Sequence, residues 1–159
     1  MTRKDFRSQR QFKKDIKAAH LIEGAILKRW LTVLKKTCGR SFKFIENGCG
    51  PDGEYLRQKD VSTDADYYVT DIGYVEVKFS KTLLKENFHL KTSQVKSYIK
   101  QRANILMVDG WNTEKAQFTF ITPEQMEAFE GKYEVVAFAG MGFKLSYKIN
   151  VNEFIWRPL

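Results

Sequence analysis

Cysteine and histidine are scarce in this chain of 159 residues: two of each, Cys38, Cys49, His20 and His89. Two cysteines cannot build a disulfide framework, which points to reduced thiols in a cytosolic setting. The four residues also lack zinc-site spacing, which argues against a metal finger. No apolar run approaches the roughly 20 residues of a membrane-spanning helix. The first 17 residues, MTRKDFRSQRQFKKDIK, have no apolar centre and do not read as a secretory signal. Internal repeats, low-complexity tracts and an interdomain linker are missing too. The Gly-Met-Gly at 140–142 lacks the Lys-Ser/Thr ending and the strand–helix setting of a phosphate loop.

What is present is a foldable core. Hydrophobic residues make up 43% of the chain and aromatics 14%, too many for a disordered protein. The length fits one domain with a sizeable interior. The net charge of +8 is uneven. Residues 1–17 carry seven basic groups (Arg3, Lys4, Arg7, Arg10, Lys13, Lys14, Lys17) against Asp5 and Asp15. The other 142 residues carry 20 basic and 17 acidic groups, so the body is nearly neutral. We divide the chain into a basic arm or helix extension, 1–17, and a single domain, 18–159. Such an arm suits a polyanion, because each neutralised phosphate releases counterions, although a solvated tail has the same composition.

Periodicity predicts a helix over 10–36, whole or broken near its middle, and ended at Cys38-Gly39. A strand at 41–46 follows, then a turn-rich stretch and an amphipathic hairpin within DYYVTDIGYVEVKF, 66–79. A helix at 92–102 takes Thr92 or Ser93 as its N-cap. Strands at 104–110 and 116–122 and a short helix from Pro123 come next. The tail has period-two strand character interrupted by Gly140 and Gly142. This order gives an α/β or α+β fold with a mixed central sheet flanked by helices.

The hairpin carries the chemistry. Alternate strand residues share a face, so Val75, Val77 and Phe79 point to the core, and Tyr74, Glu76, Lys78 and Ser80 point away from it. A Glu-x-Lys triplet alone means little, since one should arise about once in every two chains of this length. Asp66, ten residues before Glu76, adds weight. A three-residue connection at 70–72, with Gly73 taking a positive φ or a bulge, sets the two carboxylates opposite each other on one face. A two- or four-residue loop separates them. Facing carboxylates repel, and a hard cation such as Mg²⁺ or Mn²⁺ relieves that repulsion. Lys78 would compensate charge in the empty site, then orient or deprotonate an attacking water or neutralise a phosphate oxygen.

The stretch DYYVTDIGYVEVK resembles the core motif of the PD-(D/E)xK nucleases, the restriction-endonuclease-like fold. Its spacing is similar to that of small phage junction-resolving or homing-type endonucleases, and the resemblance spans roughly residues 20–122. It implies Mg²⁺ (or Mn²⁺) held by Asp66, Glu76 and the carbonyl of Val77, with Lys78 at the attacking water or scissile phosphate. It further implies DNA as partner, a cytoplasmic phage or bacterial setting, and a homodimer if both strands are cut. The family's proline normally precedes the aspartate, whereas here Ala65 stands there; Asp52, Asp64 and Asp71 are the alternative acids. Pro51-Asp52 reads as turn chemistry.

The same resemblance implies two supporting residues, Glu23 and Gln94, and position and charge add others beside them. Glu23, in line with Leu27, Trp30 and Leu34 on the first helix, is the candidate for a further acidic group near the metal. His20, one turn earlier, is a candidate substrate contact. Gln94 opens the helix after the motif strand, and Lys81, Lys91 and Lys96 surround it as candidate backbone contacts, with Arg7 and Arg10 in the arm. A non-catalytic nucleic-acid-binding or assembly protein on the same scaffold is the alternative function.

Overall fold

A computed structural model describes residues 9–47 and 64–159, so Arg7, Cys49, Pro51 and Asp52 lie outside the described residues. The predicted first helix is continuous. Helix α1 runs over Gln9–Cys38 without a break near its middle, and Gly39 ends it at a φ of 70°. Lys35 and Lys36 in its last turn complement the negative end of the helix dipole. Ile26, Leu27, Trp30 and Leu31 form its buried stripe. Burial of each such side chain contributes about 1.5–3 kcal/mol toward holding the helix on the sheet.

Strands β1 (Phe44–Glu46), β2 (Tyr67–Val69), β3 (Gly73–Phe79), β5 (Asn104–Asp109), β6 (Gln117–Ile121) and β9 (Arg157–Pro158) form a six-stranded sheet in the order β1-β2-β3-β5-β6-β9. The β3–β5 pair is parallel and its neighbours are antiparallel, so the central sheet is mixed, as the sequence predicts. Parallel pairing needs a crossover. Here it consists of β4 (Asn87–Lys91) and helix α2 (Thr92–Gln101). All six residues of β5 are buried, in keeping with its unbroken apolar run.

The core divides into two clusters, one on each face of this sheet. On one, the α1 stripe packs against Val69, Val75, Val77, Leu106, Val108 and Phe118. On the other, Val95 and Tyr98 of α2 and Met126 of helix α3 (Pro123–Glu127) meet Ile105, Met107 and Ile121. Thr122 and Gln125 close a capping box at the start of α3.

A second, three-stranded sheet departs from the expectation of one central sheet. Strands β4, β8 (Lys144–Asn150) and β7 (Glu134–Phe138) pair antiparallel in the order β4-β8-β7. Phe88, Leu90, Tyr147 and Ile149 carry it onto the second core cluster. The sequence reading also misplaced two boundaries. Strand β1 starts at Phe44 rather than 41. The N-cap of α2 is Lys91, whose side chain has no oxygen to accept a capping bond, and the Thr92 hydroxyl donates to the Leu145 carbonyl at 3.4 Å. Gly140 and Gly142 lie in the turn between β7 and β8, where Gly142 has a φ of 67°.

Candidate active site

The hairpin that holds the candidate acids has a three-residue connection. Val69 pairs with Gly73, Tyr68 with Tyr74 and Tyr67 with Val75, and residues 70–72 link the strands. The Ile72 amide donates to the Val69 carbonyl at 3.1 Å, while Asp71 and Gly73 take φ values of 66° and 104°. Aspartate tolerates the left-handed region better than most residues, and glycine enters it freely. One further step of this register sets Asp66 opposite Glu76, on the same face. The odd loop length predicted that arrangement.

Three hydrogen bonds fix the chain at Asp66. The Ala65 amide donates to Gln101 Oε1 at 3.1 Å, Asn47 Nδ2 donates to the Ala65 carbonyl at 3.0 Å, and the Asn47 amide donates to the Asp66 carbonyl at 2.8 Å. A proline at 65 would forfeit the first of these, since it has no N–H. Ala65 is fully buried, so its amide depends on that bond. Asp71 pairs with Arg40 at 2.9 Å on the far side of the turn, and Asp64 is exposed. Of the alternative acids among the described residues, only Asp66 faces Glu76.

Asp66 Oδ2 accepts from the Val77 amide at 2.9 Å. In an extended strand the N–H and C=O of one residue point to the same edge. The Val77 carbonyl therefore faces the edge occupied by the Asp66 carboxylate. Glu76 is only 6% exposed, not on a wet outer face. Its Oε1 pairs with the Lys78 ammonium and accepts from the Tyr98 hydroxyl at 2.7 Å. Lys78 also sits 5.8 Å from the Tyr98 ring centroid.

The electrostatics tie Glu23 to this group. Burial, then the Glu76 and Glu23 charges, push the Asp66 carboxyl up to about 8, against the pull of Lys78 and the Val77 amide. Burial also raises Glu23, with Glu76 adding to it and Lys78 and His20 opposing. Burial alone would pull the Lys78 ammonium down, but Glu76, Tyr98 and Asp66 together hold it above the usual lysine range. Three carboxyl groups thus share one lysine, and the cluster lacks positive charge. Desolvation raises the Tyr67 hydroxyl, with Asp66, Glu23 and Glu46 adding to it, and that buried hydroxyl has no hydrogen-bond partner among the described residues.

No family model, curated protein or solved structure matches this chain.

The remaining predicted residues are partly gathered. His20 lies on α1 with Nε2 at 3.3 Å from Glu46 Oε1 and its ring stacked at 6.5 Å on Tyr67, so Glu46 engages one of its two ring nitrogens. Gln94 is half-buried in the first turn of α2, one turn before Tyr98. Lys91 is half-buried at the start of α2. Lys96 is exposed, two residues before Tyr98 and hence on the opposite side of the helix. Lys81 is exposed beyond the end of β3. Arg10 is exposed, about 20 Å along the α1 axis from Glu23. The sequence reading did not single out Tyr98, Gln101 or Asn47. A signal existed for the first two: Gln94, Tyr98 and Gln101 follow i, i+4, i+7 spacing and share a face of α2.

The donor set suits a hard divalent ion: two carboxylates facing across a hairpin, a backbone carbonyl beside them and a third carboxylate within electrostatic reach. Among the described residues no three or more His, Cys, Asp or Glu side chains are already gathered as a metal-holding group. Two acids and a carbonyl meet the needs of Mg²⁺, which keeps several of its waters.

Proposed function

We propose that this protein is a divalent-metal-dependent nuclease of the PD-(D/E)xK kind, with a restriction-endonuclease-like fold, that hydrolyses DNA phosphodiesters. The observation that carries the reading is the hairpin register that sets Asp66 against Glu76 and pairs Lys78 with Glu76. Asp66, Glu76 and the Val77 carbonyl would hold Mg²⁺ or Mn²⁺. When bound, the ion would acidify its coordinated water and stabilise charge developing on the phosphate.

The chain's own residues divide the remaining work. Tyr98 and Lys78 fix one oxygen of Glu76, and the Val77 amide fixes one oxygen of Asp66, so both carboxylates are oriented before substrate arrives. Glu76, Tyr98 and Asp66 hold the Lys78 ammonium above the usual lysine range. That favours a role in offering positive charge to the scissile phosphate and orienting the attacking water. Glu23 supplies a further acceptor that can hold that water through a hydrogen bond. Endonucleolytic cutting of both strands calls for two such centres, hence a homodimer.

The test is cleavage of plasmid, branched and single-stranded DNA with Mg²⁺, Mn²⁺ or EDTA. Wild-type protein is expected to nick in a metal-dependent way. Lys78→Ala and Asp66→Asn should lower the rate by at least about a hundredfold while DNA affinity changes little. Undiminished cleavage by both variants removes the site assignment. Salt-sensitive binding with no nicking under any metal condition replaces the nuclease by a binding protein on the same scaffold.

A further inference from the structure

The face that carries Asp66 and Glu76 continues along the hairpin into a row of exposed apolar side chains. Two residues from the acids on each strand, Tyr68 stands opposite Tyr74, and Ile45 of β1 stands opposite Tyr68. Strand alternation places all three on the face of the acids, about 7 Å away along the strands. They are strongly exposed for such residues: Ile45 66%, Tyr68 39% and Tyr74 38%. The two tyrosine rings meet edge to face with centroids 5.1 Å apart. Lys43, exposed and two residues before Ile45, extends the same face by one more row.

Resting on the nuclease reading, we propose that this row binds unpaired nucleobases next to the scissile phosphate, making the preferred substrate a strand with splayed bases, as in a junction, flap or single strand. The row is three side chains wide and spans two interstrand gaps, about 10 Å. Three side chains are few beside the roughly 20–30 residues a side of a stable protein interface, but they match one or two bases. Tyrosine on a strand is a rigid apolar surface with a polar tip, and every base has a face to set against it. Bases inside an intact duplex expose only their edges, so such a row gains nothing from paired DNA. Lys43 at the far end offers a cation to the next phosphate, as the acids with their metal would serve the first. Lys78 and Lys43 then bracket an acid row and an aromatic row on one face of the hairpin.

Binding in EDTA tests this separately from cleavage. The probes are a short oligothymidylate carrying one 2-aminopurine and a hairpin duplex carrying the same label. Wild-type protein should quench the single-strand fluorescence on binding. Tyr68→Leu and Tyr74→Leu should weaken single-strand affinity about 5- to 100-fold each and change duplex affinity less than about twofold. Tyr68→Phe and Tyr74→Trp, which keep a ring and the cross-strand contact, should retain single-strand affinity within about threefold. Their thermal midpoints report whether the hairpin is intact. Equal losses on both probes, or single-strand affinity unchanged in the leucine variants, reduce the pair to hairpin packing and overturn the proposal. Quenching without cleavage by any metal would sink the nuclease reading and leave the base-binding row standing. Cleavage without quenching would do the reverse.

Discussion

At the scale of single residues, Asp66 is the group under most tension. Its carboxyl is pushed up to about 8 by burial and by Glu76 and Glu23, from a value near 3.8 for an unperturbed aspartate. A group whose folded pKa is raised lends stability below its unfolded value, and that contribution is lost as pH rises through the folded value. The metal-free protein should therefore lose stability from about pH 4 to about pH 8 through this one site. Asp66→Asn removes the titration while keeping the shape. In EDTA, urea unfolding should find the variant close to wild type at pH 4 and more stable at pH 9, by an amount on the order of a few kcal/mol. A variant less stable than wild type at pH 9 would show that the carboxylate is not strained. With the inactive variant the more stable one, function and stability pull apart at the same residue, as they commonly do at active sites.

At the scale of elements, the hairpin geometry depends on its connection. Gly73 adopts a φ of 104°, which an L-residue rarely takes, and nothing crowds the place of its missing Cβ. The cost of substitution is thus backbone strain alone. Gly73→Ala should destabilise the fold by about 1–2 kcal/mol. If the strands relieve that strain by slipping one residue, Asp66 moves to the other face from Glu76. Metal-dependent cleavage should therefore fall further than the stability loss explains, measured at a temperature where the variant remains folded. Cleavage at the wild-type rate would mean that the register does not rest on Gly73. This hairpin was legible in the sequence because its information is local: the alternation from Tyr74 to Phe79, the odd loop and the glycine all lie within 14 residues. The second sheet was not legible. Strand β4 has the alternation, with Phe88 and Leu90 inward and Asn87, His89 and Lys91 outward, but it spans five residues and pairs with β8 more than 50 positions later. Pairing at that distance leaves no mark in a short window. The partners of Asp66 and Glu76 were hidden for the same reason. Asn47 reads as turn chemistry, and the buried Glu76 takes a second donor, beside Lys78, that the crossover helix brings near through Tyr98.

At the scale of the whole molecule, charge is distributed along a line. The body is nearly neutral, and four of the seven basic residues of the N-terminal segment, Arg10, Lys13, Lys14 and Lys17, lie exposed on the N-terminal half of α1. Along the helix these residues lie about 9–20 Å from Glu23, too far to touch the candidate site. They are well placed to meet the backbone of a nucleic acid that passes through it. Their contribution should then be electrostatic and indifferent to sequence. Replacing Lys13, Lys14 and Lys17 by glutamine removes three charges from exposed positions and leaves the buried stripe of α1 intact. Fluorescence anisotropy between 50 and 300 mM salt should find the slope of log affinity against log salt reduced by about 2–3. The rate of cleavage at saturating DNA should be unchanged, because none of the three reaches the reacting phosphate. An unaltered salt slope would mean that DNA takes another path across the molecule, and that the positive end of α1 only keeps the protein in solution.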